Sequence, residues 1–440
     1  MRSSRYSSLS SIAALAAVTA FAAGCSDGKG PIDPDSDVAT IEVIGPPTSL
    51  IATEQYLVTA SPMSANGGVL SNVVVTWRSS NDAVATVVGG SVTAHSPGTA
   101  DIIAEAEGKS GKTQITVVLT QRLISEDRYA DGGVLGFSSS RNGGELNVYV
   151  MDASGTRKVT TSPDHEQFDG WSPDGQRIAI LRFPVGVNQF TSHIVNADGS
   201  NDVLVSSGII NWSPDWLHHG TVLNGQLTLS NADGSGAHPV GGAGSAAGPW
   251  WSQDGKRVAF AFAPNVNSFA DIYVANLDGS ALVNVTNTPE VSEEYASWSP
   301  DGSQLAITGI NPGAGLGSSL YVVNASGTGL KQLSNNPLAR NDYEPTWSPD
   351  GKLISYTTSF GFTYGLFLIR ATGGQPIRLA PSSMVSGFGH WSPDGKRLAF
   401  TAIGEGSSRQ NIYVVTLDRS SITQLTRNNA DNLGPFFRPN

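Results

Sequence analysis

The pentapeptide Trp-Ser-Pro-Asp-Gly recurs along the back two thirds of this chain, and a recurring motif limits the possible folds more than any single residue does. Full copies begin at Trp171, Trp298, Trp347 and Trp391. Near copies begin at Trp212, where Trp216 stands for Gly, and at Trp251, where Gln253 stands for Pro. The copies lie about 40 to 50 residues apart, the period of a solenoid, a propeller or an array.

Each motif joins two short apolar runs. Pro presets the φ of a type I turn, Asp favours turns, and Gly accepts the positive φ with which the chain re-enters a strand. Ser-Pro-Asp-Gly is therefore a hairpin turn between a Trp-bearing strand A and a strand B such as Arg177-Ile178-Ala179-Ile180 or Arg397-Leu398-Ala399-Phe400. A third run follows, as in Ile272-Tyr273-Val274-Ala275, then a second turn signal such as Asn276-Leu277-Asp278-Gly279-Ser280, then a fourth run, as in Ile422-Thr423-Gln424-Leu425. Four short strands per repeat, rich in β-branched and aromatic residues, describe a propeller blade.

The ends of the repeat array complement each other. The run at Val134-Leu135-Gly136-Phe137 is a B strand with its C and D but no A, whereas Pro435-Phe436-Phe437-Arg438-Pro439 is an A strand with nothing after it. Pairing the two leaves no open strand edge, which would be an aggregation liability. The expectation is an all-β chain whose propeller, residues 129–440, has seven blades and is closed by the C-terminal strand. The third repeat is the poorest copy, with Leu217-His218-His219-Gly220-Thr221-Val222 for its B strand and a Gly-rich stretch at 241–248. Erosion and opening for a ligand both explain such a departure, and erosion is the commoner cause.

The pattern P-x-W-S-P-D-G-x-x-I-A-F … I-Y-V-x-N-x-D-G resembles the propeller repeat of the TolB family. That resemblance implies protein binding at a propeller mouth in the periplasm. No α/β domain precedes the propeller, in departure from TolB itself.

Residues 1–24 read as an export signal, with Arg2 and Arg5 ahead of the apolar stretch Ile12 to Ala23. The sole cysteine, Cys25, follows Ala22-Ala23-Gly24 in an arrangement that resembles a bacterial lipobox, which implies cleavage before Cys25 and lipidation of its thiol. Multiple acyl chains would hold the protein firmly at a membrane. Ser26 in the next position favours the outer membrane over the inner. Residues 26–37 are Gly, Pro and Asp with little else and read as a flexible linker.

Strand candidates at Thr40 to Ile44, Tyr56 to Ala60, Val73 to Trp77, Ser91 to Ala94, Asp101 to Ala106 and Gln114 to Leu119 suggest a small sandwich over 38–120, with 121–128 as a linker. Val75-Thr76-Trp77-Arg78-Ser79-Ser80-Asn81 and Ser96-Pro97-Gly98-Thr99-Ala100 resemble the group 2 bacterial Ig-like domain. Trp77 is its expected core aromatic, and a spacer is its expected role.

Removing residues 1–24 takes out two Arg, so the remaining chain carries 24 basic against 37 acidic residues. Nucleic acid is an improper partner for that surface, because phosphate contacts need clustered Lys and Arg. No Gly-x-Ser-x-Gly elbow occurs, which removes the serine-hydrolase reading suggested by propellers of prolyl-oligopeptidase-like enzymes. His165-Glu166 lacks the second His of a zinc helix, His218 and His219 point to opposite faces of a strand, and His390 stands alone near the axis. Neither a metal nor another cofactor is expected. Oligogalacturonate lyases resemble the chain in repeat layout, but their clustered His ligands have no counterpart at 165, 193, 218, 219, 238 and 390.

The D-to-A and B-to-C loops share one propeller face, and loops on a rigid scaffold are where binding residues concentrate. Candidate binding residues there are Asp164, Glu166, Asp169, Glu293, Glu294, Tyr295, Asp342, Tyr343 and Glu344, with the aromatic group Phe360, Phe362 and Tyr364. An acidic mouth with aromatic neighbours suits a basic or amphipathic peptide, or a glycan. The resulting expectation is a monomeric, non-catalytic, lipid-anchored envelope protein that binds a protein, peptide or glycan. A propeller glycan lyase and a purely structural or adhesive surface protein are the alternatives.

Overall fold

The computed structural model describes residues 37–439, apart from 46–48, 52–54, 96–97, 119–121, 124–126, 142–143, 188, 266–267, 311–316, 335–340, 361–362, 382–383, 405 and 418–420. The export signal, Cys25 and most of the linker lie outside the described residues. Among the described residues all the elements are β-strands.

The front unit holds a sheet in the order Ser49–Ile51, Lys109–Val118, Gly98–Ala106, Thr76–Ser79, and a second in the order Gln55–Leu57, Ser91–Ala94, Ala85–Val88. Thr40–Ile44 pairs antiparallel with Thr59–Met63. Alternate residues of Gly98–Ala106 are buried, and Ala100, Ile102, Ile115 and Val117 join Leu50, Val84, Ala85 and Val92 in one core. Trp77 is only partly buried, packed against this core and against a smaller cluster around Ile41 and Ala104.

Seven sheets follow, six of them in the A-B-C-D order of the chain. The second comprises His165–Trp171, Arg177–Phe183, Thr191–Asn196 and Val203–Ser206, and the third Asn211–Trp212, His218–Leu223, Gln226–Asn231 and His238–Val240. The fourth comprises Ser245–Trp251, Arg257–Ala263, Asp271–Asn276 and Val283–Asn284, and the fifth Ser292–Trp298, Gln304–Ile310, Ser318–Asn324 and Lys331–Gln332. The sixth comprises Asp342–Trp347, Leu353–Phe360, Thr363–Arg370 and Ile377–Arg378, and the seventh Val385–Trp391, Arg397–Ile403, Gln410–Thr416 and Ile422–Gln424, with Arg122–Leu123 parallel to its D strand. The first sheet takes B, C and D from Leu135–Ser139, Asn147–Asp152 and Gly155–Lys158, and its A strand from Asn432–Phe437 at the far end of the chain.

The motif's chemistry is visible in every copy. Ser172 Oγ accepts the Arg177 N–H at 2.8 Å and donates to Asp174 Oδ1, which in turn accepts the Gln176 N–H at 3.0 Å. The same closed turn recurs at Ser252 and Asp254, Ser348 and Asp350, and Ser392 and Asp394. These hydrogen bonds to the charged form hold Asp174 and its counterparts below the usual carboxylate range. The turn's fourth residue needs positive φ, +63° at Gly175, and Trp216 adopts +58° in its place.

The Trp of each motif joins adjacent sheets. Trp171, Trp251, Trp298, Trp347 and Trp391 each donate Nε1–H to a carbonyl of the preceding A strand, at 3.0 to 3.2 Å. Apolar clusters span six of the seven successive seams. The seam between sheets two and three has neither feature among the described residues. Arg177 over the Trp216 ring at 5.4 Å crosses it instead. The eroded third repeat still forms a strand at His218–Leu223, and Gly220 is required there because Pro249 would lie 2.4 Å from a Cβ.

Candidate functional site

The A strands determine where side chains go, because each except the short third one carries a bulge. Register shifts fall between Phe168 and Gly170, Ala247 and Trp250, Glu293 and Tyr295, Tyr343 and Thr346, and Gly387 and His390, and the closing strand has its own. Bulges re-aim side chains, and here they turn the residue three before Trp toward the axis. Glu344 and Phe388 occupy that position with φ of +47° and +57°, and Gly434 and Gly248 match it. Left-handed backbone at non-glycine residues is strained and is concentrated at functional sites.

Around the axis at this end is a cavity of about 820 Å³. Tyr295, Tyr343, Tyr364, Phe388, Phe168 and Phe436 supply its aromatic wall, and Glu344, His390, Gln167 and Gln410 its polar groups. Tyr343 and Tyr364 lie 6.5 Å apart between ring centroids, and Phe436 packs on His390 at 3.7 Å. Burial lowers His390 to about 4, so it is neutral at pH 7. Burial alone raises the Glu344 carboxyl. Burial raises Tyr295 first, and the charges of Glu344 and Glu294 raise it further.

A second cavity of about 800 Å³ lies at the other end of the A strands, lined by Asp169, Asn211, Trp212, Trp250, Pro249 and the motif prolines other than Pro173. Water reaches Asp169 there, yet the enclosing walls push its carboxyl up to about 6. Among the described residues lining either cavity there is no Lys or Arg.

Of the candidates named from sequence, the structure brings Tyr295, Tyr343, Glu344 and Tyr364 together in the first cavity. Three others belong to the scaffold. Glu166, Glu293 and Asp342 all stand five residues before Trp and are buried. Thr286 Oγ1 accepts the Ile272 N–H at 3.0 Å and lies 3.3 Å from Glu293 Oε2. Ser334 likewise accepts the Leu320 N–H and donates to Asp342, while Thr358 donates to Asp342 Oδ1 at 2.7 Å. Each acid thus ties the end of one sheet to the start of the next. Glu166 is raised by burial against the opposing pull of Thr160 and Arg182, whose Nη2 donates at 2.7 Å. Asp169 faces the opposite cavity, a correction to its placement on the mouth face. Asp164 accepts the Val185 N–H at 3.1 Å and braces its loop, and Glu294 is exposed outside the cavity lining. The Phe360 side chain and Phe362 lie outside the described residues.

Phe168, Phe388, Phe436, Gln167 and Gln410 were not identified from sequence. Aligning the copies on Trp, rather than on loops, would have found the first two, since both stand three residues before it.

Among the described residues no three His, Cys, Asp or Glu side chains converge as a metal site would require. His165 Nδ1 pairs with Glu145 at 3.2 Å, and His193 Nδ1 with Asp202 at 2.8 Å.

The sheets resemble a TolB-like β-propeller. Residues 223–387 match the model of the TolB beta propeller domain. An uncharacterized protein of Agrobacterium fabrum is 32% identical over 178 residues, 40% of this chain and 57% of the other. The Tol-Pal system protein TolB of Francisella tularensis subsp. mediasiatica is 32% identical over 94 residues, 21% of this chain and 20% of the other. The chain therefore spans little more than half of the first relative and a fifth of the second. A solved oligogalacturonate lyase in complex with manganese aligns with TM-score 0.52 at 15% identity, over 84% of this chain and 98% of that one, a likeness of fold.

Proposed function

We propose that the chain is an exported, lipid-anchored, non-catalytic envelope protein, in which a group 2 Ig-like spacer carries a seven-bladed propeller closed by its C-terminal strand. The propeller binds a segment of another envelope protein at the first cavity. The reading is carried by that cavity's composition: aromatic walls, one solvent-reached carboxylate and, among the described residues, no Lys or Arg. Rigid strands hold its lining, as binding sites on preorganised scaffolds require. A protein partner accords with the likeness to TolB, a protein of the Tol-Pal system.

The lyase alternative is disfavoured by charge. A polyanionic glycan entering this axis would meet Glu344 and Asp169, with no cation among the described lining residues to offset them. Like-charge juxtaposition suppresses such partners strongly.

Photo-crosslinking tests the face. A benzophenone amino acid placed at Tyr364 or Phe388 should capture the partner in cells, and one at Gln253, in the opposite cavity, should not. Capture only from Gln253 would refute binding at this mouth. Anchoring is tested separately by palmitate labelling, which Cys25→Ser should abolish.

A further inference from the structure

The first cavity combines features that specify one side chain of the partner. Glu344 projects from a left-handed bulge, and no described residue donates a hydrogen bond or an ion pair to it. Three tyrosines stand near it: Tyr295, whose ionisation feels the Glu344 charge, Tyr343 next to it in the chain, and Tyr364, 40% exposed beside Tyr343. His390 is neutral and cannot serve as counter-ion. An aromatic box with a carboxylate at its edge attracts a cation through ring quadrupoles and through charge together. The apolar stem of a Lys or Arg suits the Phe388, Leu433 and Ile403 wall, because long cationic side chains bury their methylenes while the head seeks polar company.

Resting on the mouth-binding reading, we propose that this cavity is a receptor for a single Lys or Arg side chain on an extended protein segment, with Glu344 as its counter-ion and the tyrosine rings as its walls. A neutral sugar would leave Glu344 uncompensated, and a uronic acid would repel it. Both are outcomes of the test.

The probes are Gly/Ser heptapeptides with one central Lys, Arg, norleucine or Glu, titrated by NMR against the full chain at low salt, with cellotriose and a galacturonate trimer alongside. Lys and Arg peptides should bind about tenfold more tightly than norleucine, the scale of one partly desolvated ion pair with ring contacts. The Glu peptide and the galacturonate trimer should bind most weakly. Glu344→Gln and Glu344→Asn should both bring the Lys to norleucine ratio close to one. Asn tolerates left-handed backbone, so it separates loss of charge from misfolding at this bulge. Equal binding of norleucine and Lys in the wild type, a ratio unchanged in both variants, or either saccharide binding more tightly than the Lys peptide would overturn the proposal. A crosslinked partner released by Tyr364→Ala but retained by Glu344→Gln would overturn the cation and leave mouth binding intact. A partner retained by both would overturn mouth binding itself.

Discussion

Replacing Glu293 by Gln should remove one defined share of the pH dependence of propeller stability between pH 4.5 and 7.5, leaving those of Asp169 and His390 in place. The carboxyl is 3% exposed and its pKa is pushed up to about 7, by burial first, against hydrogen bonds from Thr288 and Thr286 and with Asp271 adding to the rise. A carboxylate ordinarily titrates near 4.5. The folded protein therefore holds this proton where the unfolded chain has released it. Stability is intact below about pH 4.5 and is lost as pH rises through about 7, the reverse of a salt-bridged acid. The loss is about 3 kcal/mol, from a rise of about 2.5 units at 1.36 kcal/mol each. Gln keeps the shape, accepts from Thr288 through its carbonyl, and offers its amide to Thr286 Oγ1, so it should equal the wild type at low pH and exceed it at pH 7.5. Urea unfolding followed by tryptophan fluorescence at five pH values measures the difference. Parallel stability-against-pH curves for wild type and Glu293→Gln would refute the assignment of the buried proton to this residue.

Asn432→Ala should destabilise the closing strand by about 2 to 4 kcal/mol and lower the melting temperature by several degrees, because Ser139, Arg141, Ala430 and Gln410 all bond to this buried amide. An unchanged melting curve would count against closure through this strand. Trp298→Phe should cost about 1 to 2 kcal/mol by orphaning the Trp250 carbonyl at 3.0 Å, while Trp212→Phe, with no such bond, should cost less. Equal losses would deny the indole bond its role. Carboxyl NMR should find Asp169 titrating near 6, and a midpoint near 4 would show that the channel walls do not desolvate it.

The repeat made the scaffold readable. Trp, Ser, Asp and Gly sit where their local hydrogen bonds and φ angles require them, so four residues dictated hairpin after hairpin. Strand ends in the front unit were less exact: Lys109–Val118 begins well before Gln114, and Val73 to Trp77 shifts to Thr76–Ser79. The binding face was harder for a physical reason. Glu293, Glu294 and Tyr295 look like one polar loop, but strand alternation with a bulge sends the first inward to a threonine pair, the second outward and the third to the axis. Composition could not assign those three fates. The offset from Trp does, since Glu166, Glu293 and Asp342 share one offset and Phe168, Tyr295, Glu344 and Phe388 another.

The seams explain why the closing strand matters beyond its own bonds. Indole N–H bonds support five seams and apolar clusters six, whereas between the second and third sheets the described residues show Arg177 over Trp216 in place of either. In a closed ring, separating that pair requires every other seam to bend. Once Asn432 no longer anchors the end strand, the ring has a free edge and the thin seam carries strain alone. Ile209, exposed in the link between these two sheets, would then be among the first apolar surfaces to open further. Proteolysis in that link should therefore accelerate in Asn432→Ala more than in Trp298→Phe, even when the two variants lose similar stability. Equal acceleration would show that the sheets unfold together and that the thin seam has no separate existence.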